Sequence, residues 1–356
     1  MSHLNEGCIP LEYSAYVKRK HLFLIALALI TLLLVIAAIC LGAVNVPLTQ
    51  IFNVLSGQTV ETRYRTIIQG IRLPHALAAL LAGAGLAAAG AAMQSILRNP
   101  LGSPFTLGLS QAGAFGAAFA VMILGTGTMQ STQVGSITIA NPYVTTMAAF
   151  IACLGTSFII IAIARLRGAT PEILVLSGVA LGSLFSAATM FLQYFADDVQ
   201  LAAIVFWSFG DVGRAGWREV GLMAMVVIGG MLFFVANRWN YNAIDAGDET
   251  AQSLGVNVER VRLAGMTVAS LITAFIVSFL GVIGFVGLIC PHMVRRLIGD
   301  DHRFVLPASC LTGSVLLLAA DTLARVMFAP HVLPVAVLTA FLGAPTFIYL
   351  LIRGKS

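Results

Sequence analysis

A chain of 356 residues that is 59% hydrophobic, only 10% charged and formally +5 cannot cover the surface of a soluble domain. Its mean hydropathy of +0.94 makes lipid the principal solvent. In lipid every backbone polar group must be satisfied within the fold, and the long apolar runs lack the alternation of barrel strands, so the expectation is an all-α, polytopic membrane protein. The basic residues stand at the ends of apolar runs rather than in one patch, which speaks against nucleic acid. Cys8, Cys40, Cys153, Cys290 and Cys310 are odd in number and form no CxxC pair, so they read as small apolar packers, not a disulfide framework or a zinc site.

In chain order, residues 1–21 form a cytoplasmic N-terminal segment ending in Lys18-Arg19-Lys20. The apolar run that follows lacks a small-residue cleavage site, so it is expected to be retained as the first span. About 20 apolar residues cross the hydrocarbon core. Spans are predicted at 22–44, 74–97, 105–125, 142–164, 173–195, 218–237, 263–282, 285–299, 305–325 and 333–352, ten in all within a single domain over 22–352. The Gly/Thr/Ser/Gln-rich stretch 126–141, ending in Asn141-Pro142, separates the third span from the fourth. Pro291, His292, Arg295 and Arg296 fall in the second half of the eighth, which either crosses or re-enters. Segment 45–72 is an outer loop, 238–262 a charged inner loop and 353–356 a cytoplasmic tail.

With both termini inside, fourteen of the twenty Lys and Arg residues face the cytoplasm. Arg63, Arg65, Arg72, Arg214, Arg218 and Arg325 remain outside, the bias expected of an inner (plasma) membrane protein. The small-residue runs 82–92 (AGAGLAAAGAA) and 112–118 (AGAFGAA) predict close helix packing.

Several strings resemble a known family in order: RLPH (72–75), GAGLAAAGAAMQSILRNPLGSPFTLGLSQAGAFGA (83–117), LSGVALGSLFSA (176–187), LGVNVERVR (254–262), GFVGLICPHMVRRLIGDDHRFVLP (284–307), ADTLARVMFAP (320–330) and LPVAVLTAFLGAPTFIYLL (333–351). The family is that of FecCD-type permease subunits of binding-protein-dependent ABC importers for iron-siderophores, haem and cobalamin. The resemblance implies a homodimer of ten-span subunits with short gate and coupling helices. It also implies two cytoplasmic ABC ATPase subunits that carry ATP and Mg, and an extracytoplasmic substrate-binding protein. Consistent with ATP chemistry on another chain, the sequence has no GxxxxGK[ST] loop, and no cofactor, metal or catalytic residue is expected here.

By the same resemblance, Asn99 and Leu101 in RNPLGSP (98–104), facing Thr170 and Pro171, form a cytoplasmic gate. The 238–262 loop holds the ATPase-coupling residues Glu249, Leu254, Gly255, Val256, Glu259, Arg260 and Arg262, with Gly255 at the turn, Leu254 and Val256 in the ATPase's groove and the charged side chains at its rim. Arg72, His75 and Arg325 match binding-protein docking positions. His75 departs from the arginine common there, and His331 from a common acidic residue. Met190, Gln193 and Tyr194 line the pathway for a bulky metal chelate, or else belong to an aromatic belt at the lipid interface. Asp321 and Arg325, four apart on one helix, are expected to pair. Pro291-His292 and His302 read as kink and inner cap rather than a metal site.

The function implied is import of an iron(III)-siderophore or related chelate, with haem or cobalamin import as the alternative within the family. An ion-coupled secondary transporter has little to work with, because Glu61 and Glu172 are the only acidic side chains between residues 22 and 196. An intramembrane hydrolase lacks a GxSxG or HExxH motif.

Overall fold

A computed structural model describes residues 11–42, 44–58, 60–128, 138–139, 141–327 and 333–353. Helix α1 (Leu11–Cys40) begins well before the predicted first span, so much of the expected polar N-terminal segment is helical. The expected outer loop 45–72 is likewise largely helical. It holds α2 (Leu48–Leu55) and α3 (Thr62–Arg65), and α3 runs through a π-helical stretch at Thr66–Arg72 straight into α4 (Leu73–Ile96). Next come α5 (Leu109–Met122), α6 (Pro142–Arg167), α7 (Pro171–Phe195), α8 (Asp198–Ser208) and α9 (Trp217–Ala236). The chain closes with α10 (Arg238–Asp245), α11 (Asp248–Ser253), α12 (Val258–Leu280), α13 (Val286–Ile298), α14 (His302–Val326) and α15 (Val335–Arg353). Between α5 and α6 the described residues add only a two-residue strand pair, Gly127–Thr128 with Thr138–Ile139.

Among the described residues, seven helices are long and apolar enough to cross a membrane unaided. The predicted third, eighth and tenth segments correspond to α5, α13 and α15. At 1.5 Å per residue, α5 and α13 reach only about 20 Å, short of the hydrocarbon core. Each is preceded by irregular backbone, 97–108 and 281–285, and these two breaks meet inside the bundle, where Gly284 lies beside the Phe105 ring. Irregular backbone at such depth is tolerated where protein covers it or a cavity receives it. Here Ser103, Phe105, Thr106, Ile283, Phe285 and Leu288 surround a cavity of about 130 Å³. The two non-glycine residues with positive φ among those described stand at these breaks: Arg98 (φ 44°) opens the first and Phe285 (φ 67°) caps α13. Bulky side chains hold that conformation at a cost of about 1–3 kcal/mol, so the surrounding packing must impose it.

The core gathers on α4, which α14, α12, α13 and α9 surround. Its alanine and glycine run permits the approach. A Cβ on Gly83 would run into the Gly313 carbonyl oxygen, and one on Gly90 into that of Gly287. Where lipid gives helices no hydrophobic reason to associate, such backbone proximity supplies the packing. Polar side chains add ties: Ser314 Oγ donates to Leu80 O at 2.9 Å and Gln94 Nε2 to Leu288 O at 3.0 Å.

Contacts define two faces. On the lower face Arg303 reaches Tyr13, and Asp245 meets Ser95 at the end of α4. On the upper face Trp217 Nε1 donates to Gln69 O, and Val335 N to Gly210 O. Helix α15 starts there and descends past His292, whose ring meets Phe347 edge to face at 6.2 Å. The first and last described residues therefore share the lower face with α10 and α11.

Candidate functional site: a gate region tied to a charged helix pair

The gate sequence at the foot of α4 folds as a tight turn. Asn99 Oδ1 accepts from Leu101 N at 2.9 Å and Asn99 O accepts from Gly102 N at 2.9 Å, the Asx geometry expected before a proline. Leu101 is 41% exposed at the turn's tip. Thr170 caps α7, its hydroxyl accepting from Ile173 N, and Pro171 occupies the first helical turn, where its missing N–H has no cost.

Helices α10 and α11 hang from the lower face as a small unit. Ala243, Ile244, Ala251 and Val258 form its own apolar core. Gly255 turns the chain at φ +83°, with open space where a side chain would be. Glu249, Leu254, Glu259 and Arg260 are exposed, Leu254 to 69%. Val256 is not: it packs against the unit's core, so it builds the helix pair rather than filling a groove on another protein.

Arg262 corrects the sequence reading more deeply. It is 3% exposed and offers nothing to a rim. Its Nε donates to Ile96 O at 2.9 Å, its Nη1 to Ala169 O at 2.9 Å, and its Nη2 to both carboxylate oxygens of Asp248 at 3.0 and 3.2 Å. Ile96 ends α4 just before the Asn99 turn, and Ala169 immediately precedes Thr170. Helix ends leave carbonyls without intrahelical partners, and a cation there satisfies both hydrogen bonding and the helix dipole. Arg98 also approaches Asp248, at 4.0 Å.

Beside this lies a second polar cluster. Asp245 on α10 accepts from Ser95 Oγ at 3.0 Å, pairs with Arg295 at 3.2 Å, and meets His302 Nε2 at 3.1 Å. Burial works against its charge, but the His302 hydrogen bond, the Arg295 cation and Ser95 together hold the carboxyl below its ordinary range. His302 is fully buried in this cluster, the cap of α14 being Asp301 rather than His302, and Pro291 lies within α13. Among the described residues no group of three His, Cys, Asp or Glu side chains is placed to hold a metal.

On the upper face the two arginines matched to docking positions are engaged within the chain. Arg72 is 6% exposed and donates to Ile39 O at 2.6 Å, Cys40 O at 2.8 Å and Val44 O. Arg325 pairs with Asp321 at 2.9 Å, as its spacing predicts, and also donates to Ala38 O at 3.2 Å. Both guanidiniums cap the end of α1. His75 is half-buried against Gly213 beside Asp321 and Arg325, and His331 lies outside the described residues. Arg214 repeats the device on α8, donating to Trp207 O at 3.0 Å and Phe209 O at 3.0 Å.

On α7, Met190 and Tyr194 are exposed, Tyr194 to 84%, while Gln193 is half-buried. Met190 edges a groove of about 570 Å³ along α7 and the start of α5 that also includes Thr106, Gln111, Ser183 and Ser186. Hydroxyls and an amide on an otherwise apolar helix face suit a route for a partly polar solute. Of the described cysteines, Cys153, Cys290 and Cys310 are buried and Cys40 half-buried, all with free thiols.

A bundle of broken and unbroken membrane helices, with a proline-containing turn tied to a charged helix pair on one face, is the architecture of a transport subunit. The model of the FecCD transport family matches residues 30–353, and the chain belongs to that family of ABC importer permeases. It is 53% identical, over 97% of its length and 98% of the other, to a Methanocaldococcus jannaschii protein assigned as an ABC transporter permease. The hemin transport system permease protein of Yersinia pestis is 35% identical over 91% of this chain and 95% of that one. The Fe(3+)-citrate import system permease protein of Bacillus subtilis is 35% identical over 94% and 96%. Among solved structures, an inward-facing transporter assigned to the metal-chelate ABC type matches with TM-score 0.79 and 28% identity, covering 94% of this chain and 99% of that one.

Proposed function

We propose that two copies of this chain form the inner-membrane pathway of an importer for an iron(III)-siderophore or related iron chelate. An extracytoplasmic binding protein delivers the chelate to the upper face, and two cytoplasmic ABC ATPases, holding ATP and Mg, engage the lower face. The observation that carries the reading is the exposed Glu249, Leu254, Glu259 and Arg260 surface on a helix pair joined internally to the gate segments at Ile96 and Ala169. Asn99, Leu101, Thr170 and Pro171 would then close the pathway below, and Met190, Gln193 and Tyr194 would line it above. Both termini would be cytoplasmic, an orientation that the fourteen-to-six basic bias supports.

Iron chelates are favoured because the relatives include hemin and Fe(3+)-citrate permeases. A cobalamin cargo has a specific observation behind it as well, since the vitamin B12 import permease of Escherichia coli is 34% identical over 93% of this chain. The test is reconstitution in proteoliposomes with the ATPase and binding protein encoded beside it, offering ferric citrate, a ferric hydroxamate siderophore, haem and cobalamin. ATP-dependent uptake of a ferric chelate is expected. Uptake driven by an ion gradient without the ATPase would overturn the importer reading, and ATP-dependent uptake of cobalamin alone would overturn the cargo.

A further inference from the structure

We infer that the Arg262 guanidinium is the positioning residue through which motion of the α10–α11 unit reaches both halves of the gate together. The inference rests on the importer reading and adds to it the identity of the internal link.

Three covalently distant segments end on one planar group. Ile96 lies 166 residues before Arg262 and Ala169 93 residues before it, yet Nε and Nη1 each take one of their carbonyls at 2.9 Å. The remaining edge takes both oxygens of Asp248, the first residue of α11. A guanidinium presents its donors in a rigid fork, so one contact cannot be displaced without turning the others. The carbonyls belong to the residues that lead into the Asn99 turn and into Thr170-Pro171, the two strands of chain that form the gate. The carboxylate belongs to the only one of the three segments that lies on the exposed helix pair.

Burial differs along the link in a way that suits transmission. The Arg262 side chain is 4% exposed and that of Asp248 is 33% exposed. The charge-assisted contact at the carboxylate therefore sits where a docked protein perturbs it, while the two carbonyl contacts stay dry and stiff. Arg98, at 4.0 Å from Asp248 and held at φ 44°, gives the same carboxylate a second hold on the gate turn. The Asp245 cluster on α10 also reaches the foot of α4, at Ser95, but its other partners, Arg295 and His302, lie on α13 and α14, so among the described residues it holds one gate segment and not both.

A purely structural role would also explain a buried arginine capping two carbonyls, so the experiment must separate stability from coupling. Leu101→Cys, in a chain whose native cysteines are replaced by alanine or serine, is assembled in nanodiscs with the neighbouring ATPase. The rate of maleimide labelling is then read with and without ATP and vanadate. The parent should show a nucleotide-dependent change of about fivefold or more. Its absence in the parent would refute the importer reading itself.

With the parent responding, Arg262→Met, whose side chain is buried, should keep ATPase binding and hydrolysis within about twofold of the parent and lose most of the labelling change, and Asp248→Asn should lose most of the labelling change in the complexes that form. Arg262→Lys, which keeps the charge but loses the fork, should fail to restore it. If the variants assemble in lower amount but the surviving complexes still show the full nucleotide-dependent change, Arg262 is only a structural cap and the inference is wrong. Should Arg262→Met fail to assemble, Asp248→Asn carries the test alone, since it leaves both carbonyl contacts in place.

Discussion

The two ends of the bundle use arginine in the same chemical way to different effect. On the upper face Arg72 and Arg325 close the carbonyls at the end of α1, and Arg214 closes those at the end of α8. Each group is spent on its own corner. On the lower face Arg262 does the same for Ile96 and Ala169, but adds Asp248 on the exposed helix pair. The upper arginines are anchors and the lower one is a link. The difference lies not in charge or burial but in whether the third partner belongs to the exposed helix pair.

The sharpest way to break this distinction is at an anchor. Arg72→Met leaves three carbonyls at the end of α1 without their donor, and the loss is expected to be about 3 kcal/mol in detergent unfolding, with transport per ATP unchanged in the protein that survives. A normal melting curve with lowered transport per ATP would collapse the comparison.

A smaller effect is expected at the turn that orients the helix pair. Gly255→Ala should cost about 1 kcal/mol, because φ +83° is strained for any residue with a Cβ. Gly255→Pro should cost more, since proline cannot adopt that angle and the bond from Gly255 N to Gln252 O is lost as well. Co-purification of the ATPase with each variant reads the outcome: proline should abolish it and alanine only weaken it. Smaller still is Glu249→Arg, an exposed charge reversal, which should change ATPase affinity by less than about 1 kcal/mol at physiological salt and more at low salt. A salt-independent change would mean that Glu249 is not a rim contact.

The long apolar helices were legible because lipid demands them, and the turn at 98–104 because Asn-Pro and Ser-Pro interrupt them. The Asp321–Arg325 pair followed from spacing alone. Helix α8 was missed, since its eleven residues are too few to span, yet a local signal was present: Asp197 and Gln200 form a capping box. The arginines misled for a physical reason. A cation in a membrane protein's sequence is ordinarily given to water or to a partner, and nothing local says that carbonyls 32 or 166 residues away lack donors. Val256 misled likewise, because its fully apolar neighbours come from three different helices. The positive φ at Phe285 had no sequence signal, as glycine would ordinarily mark such a position.

The most direct test of the account is which face meets the ATPase. A single cysteine at Leu254, 69% exposed on the lower face, and one at Phe52, 71% exposed on the upper face, are each combined with the neighbouring ATPase and a short thiol-to-amine crosslinker. The account predicts a covalent product with the ATPase from Leu254→Cys and none from Phe52→Cys. A product from Phe52→Cys, with none from Leu254→Cys, would contradict it.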